Sequence, residues 1–262
     1  MMSKSLPSNK EIKASARKAL KGKWGISILV CFLYFCFTAS LNIGMSINKY
    51  INSSNTTTPS SSSGSLIVSI INLFIAGAFS FGICHFFLNI LNEKETRVSD
   101  LFRGFKHYGG TFIANLLVTI YTILWFILFS IPASILIISA LVSTGGGLTS
   151  LNITSIIIIA LVILLVSVIF SIVILRYSMT YFIYADNPEI GGVDAIKESV
   201  SMMKGNCLKL FTLMLSFIGW GILACLTVVG ILFLIPYINA SLAAFYEELK
   251  EDEEDIEVID TL

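Results

Sequence analysis

Few residues in this sequence combine a reactive side chain with a setting in which it could do chemistry. His85 sits in the apolar run Phe81-Gly82-Ile83-Cys84-His85-Phe86-Phe87. An ionisable group inside an apolar span is a functional candidate by default, as a proton carrier or a polar anchor. A neutral histidine a turn or two from a membrane surface is also cheap to hold, and that favours a structural role. Arg176 is placed similarly, and its long stem lets the guanidinium snorkel to the surface. Lys10, Lys13, Arg17 and Lys21 recur at helical spacing. Such a stripe suits anionic lipid head groups, each base adding about 1 kcal/mol of attraction. The plainer reading is that the stripe anchors the topology of the chain.

Beyond these residues the chemistry is thin. Asp186-Asn187-Pro188 reads as a turn ending an apolar stretch. The five cysteines, Cys31, Cys36, Cys84, Cys207 and Cys225, form no C-x-x-C pair. They read as small hydrophobes, and no disulfide framework is expected. With 2 histidines in the chain, no metal site is expected, and no cofactor either. Phosphate-loop, nucleophile-elbow and zinc-protease motifs are absent. No catalytic residues are assigned, and the expectation is a protein that is not an enzyme. No Asp or Glu falls in the middle of an apolar stretch. That argues against a proton- or sodium-coupled carrier, although not against one that uses backbone carbonyls.

The elements that hold these residues follow from composition. Hydrophobic residues make up 55% of the 262 positions and charged ones 13%, against roughly 25% charged in ordinary soluble domains. A soluble fold cannot hide that much apolar surface, whereas a bilayer can. A span needs about 20 apolar residues. The stretches 25–47, 66–91, 111–141, 153–181, 208–228 and 231–245 qualify or nearly do. Residues 49–65 read as a polar loop, and Ser143-Thr144-Gly145-Gly146-Gly147 as a turn. Pro132 is expected to kink or break the third span. The last apolar run, Leu208 to Phe245, would reach about 57 Å as one helix, too long for a core of roughly 30 Å. Gly230 and Pro236 offer places to divide it. Its second half is short enough that a re-entrant segment remains an alternative. The fold class expected is all-α: a polytopic transmembrane bundle of about six spans.

Charge then orients it. The 17 basic and 17 acidic residues cancel, so overall charge implies no nucleic-acid partner. The basic residues are nevertheless segregated. With six spans and the amino terminus inside, Lys49 alone falls outside. By the positive-inside tendency the amino terminus is cytoplasmic. Residues 1–24 form a cytoplasmic amphipathic basic helix, started by a capping box of Ser8 and Glu11. Its Ile12, Ala16, Ala19 and Leu20 share one face, and Trp24 stands where an interfacial aromatic belongs. Residues 25–246 are the transmembrane domain, and 247–262 an acidic cytoplasmic tail, expected to be partly disordered. Two further short helices are expected on the cytoplasmic side. One is capped by Ser99 or Asp100, with Val98, Leu101, Phe102 and Phe105 on one side. The other runs from Asp194 to Met203, with Ile196, Val200 and Met203 on one face and Gly205 stopping it. The pattern suggests three units, each an interfacial helix followed by a transmembrane hairpin. Ala78 with Gly82, and Gly219 with Gly221, are expected to allow close helix packing.

Several ordered stretches resemble the bacterial membrane-protein family known as domain of unknown function 975. They are Ala19-Leu20-Lys21-Gly22-Lys23-Trp24-Gly25, Asp100-Leu101-Phe102-Arg103-Gly104-Phe105 and Tyr184-Ala185-Asp186-Asn187-Pro188. Asp194-Ala195-Ile196-Lys197-Glu198-Ser199, Leu215 to Trp220, Ile235-Pro236-Tyr237 and Phe245-Tyr246-Glu247-Glu248 continue the series. The resemblance implies a bacterial membrane protein and carries no activity with it; the membrane expected is the cytoplasmic one. The expected contacts are the lipid bilayer, anionic lipid head groups and a membrane protein partner. The expected role is a non-enzymatic scaffold or accessory component of envelope or export machinery. The alternative is a transporter or channel for a small molecule or peptide.

Overall fold

The computed structural model of the chain describes residues 7–54, 63–143 and 153–260. All regular structure among them is helical. The elements are α1 (Asn9–Leu20), α2 (Trp24–Ser54), α3 (Ser63–Leu91), a 3-10 segment (Val98–Phe105), α4 (Tyr108–Ser143) and α5 (Ile153–Ile174). A 3-10 turn (Leu175–Tyr177) leads to α6 (Thr180–Asp186), and another (Pro188–Ile190) leads to α7 (Gly192–Met202). Then come α8 (Cys207–Leu215), α9 (Ile218–Leu226) and α10 (Val228–Asp260). Five helical stretches are long and apolar enough to cross a bilayer, and a sixth is counted if α1 and the start of α2 are joined. Those two meet at 100°, so if α2 crosses the membrane, α1 lies close to its plane.

The core is concentrated at one end. There α3 is the central strut, and 56% of its apolar stretch is buried. Phe79, Phe81, Phe86, Phe87 and Ile90 of α3 pack with Met179 and Ile183 near α6 and with Ala243, Phe245 and Leu249 of α10. The α4–α5 hairpin is the opposite case: 6% of the α4 stretch and 0% of the α5 stretch are buried. Most of its isoleucines and leucines are exposed, as on a lipid-facing surface.

Several elements differ from the sequence expectation, each for a local reason. α4 runs unbroken through Pro132. The Ser130 and Ser134 hydroxyls donate to the carbonyls of Ile127 and Ile131, three residues back along the helix. The expected fourth span, 153–181, is divided at Leu175–Tyr177, and α6 carries it on to Asp186. In the last apolar run the break falls at Thr227, which is extended at φ −127 and ψ 109. Pro236 lies inside a continuous α10 instead. Gly230 works differently from expectation: a Cβ there would lie 2.8 Å from the Ala224 Cα, so it lets α9 and α10 close on one another. The acidic tail is helical to Asp260 as the continuation of α10. Helix α2 extends to Ser54 and α3 begins at Ser63, so helix takes in both ends of the expected loop 49–65, whose residues 55–62 lie outside the described residues. The glycines 145–147 lie outside the described residues.

Candidate functional site

The buried end of α3 carries His85 and Asn89 on one face, four residues apart, and Asn92 follows just past its last turn. His85 Nε2 lies 3.1 Å from Asn89 Nδ2 and 2.8 Å from Arg103 Nη1. Its Nδ1 faces the Ala185 carbonyl at 3.4 Å. A guanidinium only donates, so Nε2 must accept and the proton must sit on Nδ1. Arg103 is held in turn by Asp100, whose Oδ1 is 3.2 Å from its Nε. Asp100 is 4% exposed, and its other oxygen accepts from the Arg97 backbone N–H at 2.9 Å. Thus α3, the 3-10 segment and α6 are joined through one imidazole ring. Both ring nitrogens are engaged by the protein's own groups.

The 3-10 segment can come this close because of two glycines. A Cβ on Gly82 would lie 1.9 Å from the Leu101 carbonyl oxygen, and one on Gly104 2.0 Å from that of Ala78. The expected Ala78–Gly82 pair does pack closely, but against this short segment and not against another span. The segment is 3-10 and not α, so positions three apart eclipse. Leu101 and Gly104 therefore face inward together, while Phe102 and Phe105 are 42% and 43% exposed. The expected α-type face of Val98, Leu101, Phe102 and Phe105 is not formed. Asp100 does cap the segment, acting from its third position on Arg97, and Ser99 is not the cap. Gly219 and Gly221 have open space where a Cβ would go, so they serve no close contact here.

A second polar junction ties α6 to α10. Asp186 accepts from Lys250 Nζ at 2.6 Å and from the Tyr246 hydroxyl at 3.2 Å. Asn92 at the end of α3 donates to Glu247 at 3.0 Å. Glu198 of α7 faces the same junction. Burial, and then the nearby Asp186 carboxylate, push its pKa up, partly offset by Lys250.

Helix α1 is docked on the protein. The Ser8–Glu11 capping box forms as expected, with Ser8 N–H donating to Glu11 Oε2 at 2.6 Å. Ile12, Ala16 and Leu20 are fully buried in the shared core, so protein and not lipid covers the apolar face. Asn9 reaches Thr212 at 3.2 Å, and the Tyr237 hydroxyl donates to the Lys13 carbonyl at 3.4 Å. The four basic residues of the stripe separate in role. Lys13 is half-buried, donates to the Ser216 carbonyl at 3.2 Å and lies 4.1 Å over the Phe217 ring. Lys10, Arg17 and Lys21 are exposed. Helix α7 buries Ala195, Ile196, Ser199 and Met202, with Val200 only half-buried. Gly22 and Gly205, which follow α1 and α7, both take positive φ, at +82 and +81.

The sequence singles out His85 but not its partners. Arg103 and Asp100 lie on the next element, and nothing in a linear pattern pairs them with a residue on α3. Lys250 and Asp186 are 64 positions apart and equally hidden. Among the described residues no three His, Cys, Asp or Glu side chains converge as a metal ion would need. All five cysteines are free.

A family model described as "Protein of unknown function (DUF975)" matches residues 2–253. No curated protein and no solved structure matches the chain.

Proposed function

Because this chain belongs to the DUF975 family, whose description carries no activity, we propose a role that needs no chemistry: a non-enzymatic scaffold or accessory component of bacterial envelope or export machinery. It is held in the cytoplasmic membrane with its amino terminus inside. The observation that carries this reading is how the polar and apolar residues are divided. The polar side chains at the buried end are spent on joining the protein's own elements. The α4–α5 hairpin, by contrast, projects with its apolar surface bare. Such a hairpin offers lateral packing surface to the helices of a partner within the bilayer. The segregation of lysine and arginine supports the orientation.

Crosslinking and affinity capture of the tagged protein from its native membrane test the role. One dominant partner, lost when Leu161 and Leu165 on the α5 surface are both changed to Lys, is the expected result. Recovery of the folded protein alone would sink it. The transporter reading has one observation of its own, the interruptions at Ser216–Phe217 and Thr227 that divide α8, α9 and α10. Discontinuous helices place backbone groups at substrate sites in carriers. Substrate-dependent flux in reconstituted vesicles would favour it.

A further inference from the structure

Between α1, α9 and α10 lies a groove of about 410 Å³, within the range of roughly 300–1,000 Å³ typical of small-molecule sites. Its walls are Trp220, Leu223 and Ala224 on one side and Phe233, Leu234 and Tyr237 on the other, with Trp24 beside Phe233 at 5.9 Å between ring centres. The lining is predominantly apolar. Arg17 is the one charged residue that lines it, and among the described residues it has no carboxylate partner. The indole N–H groups of Trp24 and Trp220 also lack acceptors there.

We propose that this groove holds one anionic glycerophospholipid, with its phosphate on Arg17 and an acyl chain between the walls. The 100° bend between α1 and α2 keeps Arg17 close to the membrane plane if α2 spans. That is head-group depth, where Trp side chains also settle with ring buried and N–H toward the polar layer. A guanidinium matches a phosphate in geometry as well as charge. Lys13 takes no part, since the Ser216 carbonyl and the Phe217 ring already hold its ammonium. Lys10 and Lys21 do not line the groove. The lipid site is independent of the scaffold reading and stands or falls by a different experiment.

The test uses the full chain in nanodiscs of phosphatidylglycerol and phosphatidylcholine in equal amounts, with acyl-chain bromine on one lipid or the other. Bromine quenches nearby indoles, and two of the three tryptophans line the groove. Stronger quenching by brominated phosphatidylglycerol is expected, at an apparent preference of about fivefold for one contributing base. Arg17→Gln should remove the preference, and Lys18→Gln, which changes an exposed base outside the groove, should leave it. Equal quenching by both lipids would overturn the site. So would a preference that survives Arg17→Gln, or one that Lys18→Gln removes equally, since general leaflet charge then explains it. Displacement by free glycerol phosphate would assign the site to a soluble phosphate and overturn the lipid as occupant.

Discussion

Arg103 donates to His85 Nε2, and Asp100 holds Arg103 in place to do so. The 2.8 Å approach of Nη1 to Nε2 would be repulsive against an imidazolium. Removing the guanidinium strands a carboxylate that is 4% exposed. Arg103→Leu is therefore expected to cost about 1–3 kcal/mol, toward the low end because Arg103 itself is half in solvent. Thermal melts in detergent read the loss, and adding Asp100→Asn should recover part of it. Glu198 gives a pH signature. Its folded pKa is raised, so its contribution is most favourable below the ordinary carboxylate range and is lost as pH rises through the raised value. At neutral pH its charge faces Asp186 and Lys250 at some cost. Glu198→Gln should raise the melting temperature at neutral pH, and the gain should vanish as acid protonates the wild-type residue. A variant no more stable than wild type at neutral pH would show that this carboxyl is not strained.

At the scale of elements, two docking contacts hold the short segments against the long ones. The 3-10 segment lies on α3 through Gly82 and Gly104, where backbone meets backbone. Gly82→Ala forces a Cβ against the Leu101 carbonyl. Overpacking of this kind costs about 1–3 kcal/mol. Gly219→Ala is the control, because nothing lies within 4 Å of the added atom. It should be neutral or slightly stabilising. Helix α1 docks through Ile12, Ala16 and Leu20, all at 0% exposure. Truncating a buried isoleucine typically costs about 2–5 kcal/mol. Ile12→Ala should speed hydrogen exchange across residues 9–20 while leaving α3 protected. Uniform loss of protection would mean that α1 and the bundle melt as one unit.

On the scale of the whole molecule, one end is packed as protein and the other is left for lipid or for other helices. That asymmetry makes α1 a reporter of orientation. Ser15 is exposed on α1. In a background without the native cysteines, Ser15→Cys is expected to react with an impermeant maleimide only in inverted membrane vesicles. Labelling of intact cells would reverse the orientation. The same asymmetry explains why the spans differ so much in burial: α3 is a strut inside the packed end, and α5 contributes to it only where its helix gives way to Leu175–Tyr177.

The sequence alone determined the all-helical, membrane-spanning class of the protein and the position of the Ser8–Glu11 cap. Each of these depends on local composition or on residues within a few turns, and bilayer thickness sets the length scale. Most of the family resemblance was legible too, because its stretches are short and ordered. The partners of His85, the pairing of Asp186 with Lys250 and the separation of Lys13 from Arg17 were decided only by the tertiary structure. These depend on how far-apart elements come to lie, and apolar stretches of similar strength permit many such arrangements. The face of the 3-10 segment departs from the sequence expectation for a related reason. Gly104 of the segment and Gly82 of α3 let the two backbones meet, and no pattern within the segment records that neighbour.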